Sequence, residues 1–131
     1  MQDSNMKYKY VEDVNIEDVF GIEKHFNVLL PSDYKDLLPV LNRGKPSKDQ
    51  FDVLNRPECV VDYFIDLKLV VQISHDIKQP DFIAIASDPF GNYYGYLKEN
   101  RRISSVYFWN HENDQFTKCS DGFNYFINLL Y

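Results

Sequence analysis

The first helical pattern in the chain follows a polar lead-in at residues 1–14. Asn15 can cap a helix, because its side-chain oxygen can accept a hydrogen bond from a free backbone N–H one turn further on. Apolar residues then recur at helical spacing: Ile16, Val19, Phe20, Ile22 and Phe26. The pattern predicts a helix to about residue 28. Gly21 weakens this helix relative to alanine and is compatible with close packing there.

A Leu-Pro break separates this helix from a second one. Pro31 disfavours helical geometry at Leu30, and Ser32 can cap the helix that follows. Pro39 predicts a kink or an early end, and Gly44 can take the left-handed conformation that a helix exit often needs. One face of this second helix carries Tyr34, Leu37, Leu38 and Leu41.

From residue 45 the pattern indicates strands. Residues 44–47 are predicted as a loop, and a short strand is predicted at Phe51, Val53 and Leu54. Polar and apolar positions then alternate over residues 61–67, which is typical of a half-buried strand that places Asp62 and Asp66 on one face. Residues 68–79 fit either a continued strand or a short helix.

The second half of the chain predicts three strands and a closing helix. Phe82 to Ala86 is an apolar run typical of an interior strand, and residues 88–92 have turn chemistry. Two more strands, around Tyr94 and Tyr96 and over residues 106–109, are joined by a basic turn at 98–102. A helix after Gly122 buries Phe123, Phe126, Ile127 and Leu130. The order predicts one α+β domain over residues 1–131, with a mostly antiparallel sheet of about five or six strands and helices on one side.

Charge and length restrict the classes of function. The chain has 131 residues, and its 14 Lys and Arg against 20 Asp and Glu give a net charge of -6. This balance disfavours direct nucleic-acid binding and anionic membranes, whereas it suits either a basic protein partner or simple solubility. Two cysteines are no disulfide framework, and neither a signal peptide nor a membrane-spanning run is present, so a cytoplasmic protein is expected.

Several segments together resemble a SUKH (Smi/Knr-like) domain over roughly residues 16–130. The resemblance is carried by Ile22-Glu23, Phe26, Leu30-Pro31-Ser32-Asp33-Tyr34-Lys35, Asn42-Arg43-Gly44, residues 82–92, residues 106–112 and residues 123–130. Two positions depart from the family pattern: Arg43 replaces the first Gly of Asn-Gly-Gly, and Ala84 stands where many members have Pro.

The resemblance implies a bacterial immunity protein, an antitoxin that binds and neutralises a cognate toxin encoded beside it. Many such toxins are nucleases. It implies neither catalysis nor a cofactor. The alternatives are a regulatory interaction module with a non-toxin partner, as in the fungal relatives, and a small-molecule-binding domain whose pocket is lined by aromatic residues.

Candidate partner-binding residues come from two patterns. Tyr107 and Trp109 share one face of their strand; they are either interface anchors or core residues whose polar atoms are satisfied internally. Five carboxylates could meet a basic toxin surface where a nuclease normally holds phosphate, or could simply be solvated: Asp62, Asp66, Asp88, Glu112 and Asp114.

No catalytic motif is found. The most reactive-looking cluster is His111, Glu112, Asp114 and Cys119, but the string from His111 to Gln115 lacks the second His of HExxH. Neither a catalytic nor a metal site is predicted. The alternation over residues 61–67 could also pair as an edge strand in a homodimer.

Overall fold

The computed structural model describes residues 6–53 and 56–131, so the predicted strand residue Leu54 lies outside the described residues. The helices are α1 (Ile16–Phe26), α2 (Ser32–Leu41), α3 (Val70–Asp76) and α4 (Phe123–Leu129), and a 3₁₀ turn at Leu67–Leu69 precedes α3. The strands are β1 (Tyr8–Lys9), β2 (Lys45–Pro46), β3 (Gln50–Val53), β4 (Arg56–Val60), β5 (Tyr63–Phe64), β6 (Phe82–Ser87), β7 (Tyr93–Leu97), β8 (Val106–Asn110) and β9 (Gln115–Ser120).

The main sheet has the antiparallel order β5-β6-β7-β8-β9, and two small antiparallel pairs, β1-β2 and β3-β4, lie outside it. The predicted α+β class is therefore confirmed. The closing helix and the interior strand β6, which has a strand on each side, are also where the sequence predicts them.

One face of the sheet packs on α2 and α4 to form the core. Tyr34 of α2 has its ring centroid 6.0 Å from that of Tyr96 on β7 and 5.1 Å from that of Phe123 on α4. Tyr94 on β7 packs in the same way against Phe126, at 5.6 Å. Because aromatic rings bury large apolar areas, this cluster supplies much of the apolar burial that stabilises the sheet and the two helices.

Asn15 caps α1 as predicted, because its side-chain oxygen accepts the N–H of Glu17 at 3.0 Å. The helix ends at Phe26 rather than near residue 28. Asn27 takes the left-handed conformation there, with φ of 55°, and its N–H bonds the carbonyl of Glu23. Gly21 is not a site of close packing, since a Cβ there would have no atom within 4 Å.

The ends of α2 differ from the prediction. Ser32 is the first helical residue and not the cap; Pro31 holds the cap position without a side-chain hydrogen bond. The helix ends at Leu41, two residues after Pro39. The left-handed residue that follows is Arg43, with φ of 63°, and not Gly44. Gly44 is instead required by close approach, because a Cβ would lie 2.9 Å from the carbonyl oxygen of Leu41.

The predicted strand pattern needs correction. Residues 61–67 form no continuous strand: only Tyr63–Phe64 pairs, and a 3₁₀ turn begins at Leu67. The predicted loop over 44–47 contains β2, which pairs with β1 in the lead-in. The sequence also missed β9, which is one edge of the main sheet. Residues 68–79, ambiguous in the sequence, contain α3.

Candidate protein-binding surface

A row of side chains crosses all five strands on the sheet face opposite Tyr94 and Phe108. Directly paired residues of antiparallel strands share a face. The pairs run from Tyr63 to Ser87, from Ser87 to Tyr93, from Tyr93 to Trp109 and from Trp109 to Phe116. At about 4.8 Å per strand the row is roughly 19 Å long. The row contains the pair next to the β6–β7 turn, Ser87–Tyr93, and lies one residue pair away from the β8–β9 turn; we call it the aromatic row.

Trp109 is the most buried aromatic side chain of this row, at 7% exposure. Its ring stacks on Tyr93 with centroids 6.1 Å apart, and its indole N–H donates to the Asp114 carboxylate at 2.6 Å. The same carboxylate oxygen accepts the side-chain amide of Gln79 at 2.9 Å. Of the two interpretations open from sequence, the structure shows a Trp109 that is buried and satisfied within its own chain.

These two hydrogen bonds also affect the titration of Asp114. The bond from Trp109, and then the bond from Gln79, stabilise the charged form and lower the pKa of the Asp114 carboxyl. The residue adopts a left-handed backbone conformation, with φ of 58°, at the end of the β8–β9 turn. Asp114 therefore anchors this turn to Trp109 while remaining exposed to solvent.

The β6–β7 turn is organised by Asp88, which is 7% exposed. Its carboxylate accepts the backbone N–H groups of Phe90 and Asn92, at 2.8 and 2.9 Å, and the side-chain amide of Asn92 at 2.8 Å. Gly91 completes the turn with φ of 93°. The Asp88 carboxylate is thus occupied inside the protein and does not form part of an outer acidic surface.

A second contact joins this turn to the β8–β9 turn. The side-chain oxygen of Asn92 accepts the backbone N–H of His111 at 2.9 Å, and Nδ1 of the His111 ring lies 2.6 Å from the same oxygen. The β6–β7 and β8–β9 turns therefore form one unit at this end of the sheet. Phe90, 69% exposed, and the exposed Glu112 project from it. We call this unit, together with Asp114, the joined turns.

The remaining predicted residues lie elsewhere in the structure. Asp62 pairs with Lys45, whose ammonium lies 3.0 Å from the carboxylate; this hydrogen bond is the largest cause that raises the pKa of Lys45. Asp66 caps the 3₁₀ turn by accepting the N–H of Lys68 at 3.0 Å. Both lie near the β5 end of the aromatic row. Tyr107 is half-buried; it lies two residues before Trp109 on β8 and pairs with Gly95 and Lys118.

Of the residues named from the sequence, the structure brings Trp109 and Asp114 into contact and places Glu112 in the same turn, but the sequence did not reveal their neighbours. Gln79 holds Asp114, Asn92 joins the turns, and Tyr93 supports the Trp109 ring. Burial, and then the negative charge of Asp76 at the end of α3, raise the pKa of Tyr93. The turn at residues 88–92 could be predicted from the sequence, but the contact of Asn92 with His111 depends on strand register.

The described residues offer little for other chemistry. Over residues 6–53 and 56–131, no group of three or more His, Cys, Asp or Glu side chains could hold a metal ion. In the same part of the chain, no helix has both the length and the apolar character needed to cross a bilayer. Aromatic side chains are enriched in protein–protein interfaces, so the exposed Phe90 ring is compatible with contact with another protein.

Two helices, an antiparallel sheet and a closing helix are the arrangement of a SUKH superfamily domain. The family model described as SUKH_6: SMI1-KNR4 cell-wall matches residues 16–127, and the chain belongs to this family. Domains of this family are generally immunity or binding domains without enzymatic activity. The chain matches no curated protein.

Proposed function

We propose that this protein is a cytoplasmic immunity protein that binds and neutralises a cognate bacterial toxin, without catalysis of its own. The observation that carries the proposal is membership of the SUKH family over residues 16–127. The net charge of -6 supports it, because nuclease toxins that bind phosphates have basic surfaces.

We place the toxin contact at the joined turns and the adjacent end of the aromatic row. Glu112 and Asp114 supply exposed negative charge there, and Phe90 supplies an exposed aromatic ring. Carboxylates at this position would occupy the sites where a nuclease holds phosphate. Complementary charge speeds encounter, whereas the aromatic side chain gives buried contact area that slows dissociation.

The test is survival of cells that express the toxin domain encoded next to this gene, with and without this protein. We expect rescue by the wild type and weaker rescue by Glu112→Lys. Asp36→Lys is the matched control: it makes the same change of charge at an exposed position of α2, which packs on the other face of the sheet. Equal rescue by both variants would keep the immunity function and contradict its location.

No rescue, despite soluble expression of both proteins, would contradict the immunity function. Stable co-purification with a cellular protein would then favour the regulatory interaction module. Thermal stabilisation by a metabolite would favour the small-molecule-binding domain, because a ligand of the native state raises stability by mass action.

A further inference from the structure

The joined turns form an open surface groove, whose occupant the proposed function does not name. Its volume is about 540 Å³, and it is lined by Phe90, Asn92, Asn110, His111 and Glu112. No lysine or arginine among the described residues lines it, and Glu112 is the one lining residue with a carboxylate. Asn110 holds the backbone here, because its side-chain oxygen accepts the N–H of Glu112 at 2.9 Å.

The hydrogen bonds around Asn92 determine which nitrogen of His111 carries the proton. The side-chain N–H of Asn92 donates to Asp88, so the other amide atom, Oδ1, must be an acceptor. Nδ1 of His111 lies 2.6 Å from this oxygen and must therefore be the donor. In the neutral ring, Nε2 then keeps its lone pair and is an acceptor.

We propose that this groove binds an arginine side chain of the protein partner; the proposal rests on the proposed function and names the partner's chemistry at the same site. The planar guanidinium can stack on the exposed Phe90 ring, pair with the Glu112 carboxylate and donate to Nε2 of His111. Lysine has a compact ammonium that lacks the planar face and the fork of donors, so arginine is the better match for this combination.

The groove can be tested without the toxin, by NMR titration of the protein with blocked single amino acids. The probes are N-acetyl-arginine methylamide, the lysine analogue and the uncharged citrulline analogue. We expect saturable shifts at Phe90, His111 and Glu112 in the millimolar range for arginine, with at least fivefold weaker binding of the other two. Glu112→Gln is expected to weaken arginine binding at least fivefold, whereas the exposed control Glu17→Gln leaves it unchanged.

An equal response to citrulline, shifts centred elsewhere or no saturable shift would overturn the arginine site. An equal response to lysine would show a general cation site and would also overturn it. A long-range nitrogen–proton correlation of the His111 ring is expected to show the proton on Nδ1; a proton on Nε2 in the neutral ring would contradict the assigned acceptor. The titration does not involve the toxin, so failed rescue would contradict only the proposed function. Rescue by a protein whose groove does not bind arginine would contradict only this inference.

Discussion

Trp109 and Asp114, five residues apart, are joined by a hydrogen bond of 2.6 Å that spans the β8–β9 turn. The donor is a buried indole, and the acceptor is a carboxylate exposed to solvent. A core residue is thus tied directly to the surface that we assign to the partner. A substitution of Asp114 is therefore expected to alter both the stability of the fold and the geometry of the joined turns.

The first prediction concerns the pH dependence of this contact. The pKa of Asp114 is lowered in the folded protein, so its contribution to stability is present above the unfolded pKa and is lost as pH falls through the folded pKa. Asp114→Asn should lower Tm at pH 7, and the difference from the wild type should shrink below about pH 4. Thermal unfolding followed by circular dichroism checks this. A difference that does not change between pH 7 and pH 3 would contradict the role of the charge.

The second prediction compares two buried tyrosines of β7. Tyr94 donates its hydroxyl to the carbonyl of Val60 at 2.8 Å, whereas the buried hydroxyl of Tyr96 has no hydrogen-bond partner among the described residues. Tyr94→Phe should cost about 1 kcal/mol of unfolding free energy, and Tyr96→Phe should be neutral or stabilising. Urea unfolding of the two variants tests this, and an equal loss in both would show that the Tyr96 hydroxyl has a partner.

The third prediction concerns Asn42, which is 1% exposed at the exit of α2. Its side-chain oxygen accepts the N–H of Leu67 at 3.0 Å, and its amide donates to the carbonyl of Glu12 at 3.3 Å. Asn42→Ala should lower the unfolding free energy by about 2 kcal/mol, because it leaves buried polar groups unpaired. The control Asn124→Ala, at an exposed position, should change it by less than about 0.5 kcal/mol. Similar losses in both variants would argue against this role.

The fourth prediction contrasts two glycines. A Cβ at Gly95 would lie 2.3 Å from the carbonyl oxygen of Ile83 and 2.8 Å from the Phe82 ring, so Gly95→Ala should destabilise the sheet by about 3 kcal/mol or prevent folding. A Cβ at Gly21 meets nothing within 4 Å inside α1, so Gly21→Ala should stabilise by about 0.5–1 kcal/mol. Chemical unfolding of the two alanine variants separates these effects, and a destabilised Gly21→Ala would contradict the open space there.

Features that depend on short stretches of chain were predictable from the sequence. The Asn15 cap, the interior strand β6 and the turn at Gly91 each follow from residues within a few positions of one another. The fold class followed from the order of these elements. The same local logic placed Trp109, Glu112 and Asp114 near one turn.

Features that depend on pairing between distant segments were not predictable. The alternation over residues 61–67 predicted a strand, but only Tyr63 and Phe64 pair with β6, and Asp66 caps the 3₁₀ turn that follows. The sequence did not reveal strand β9 for two reasons. Its register shifts between the partners of Val106 and Tyr107, which disrupts the period of two. Its positions are also mostly polar. The contact of Asn92 with His111 spans 19 residues and depends on the registers of β7, β8 and β9.

The link from Asn92 to His111 has a consequence for the thermodynamics of association. Loops that become ordered only when a partner arrives lose conformational entropy in that step, and this loss weakens the complex. Here the two turns are already held by Asp88, Asn92 and His111 within the free protein. A partner that binds at this end of the sheet therefore meets a preorganised surface, and the entropic penalty on the side of this protein is small.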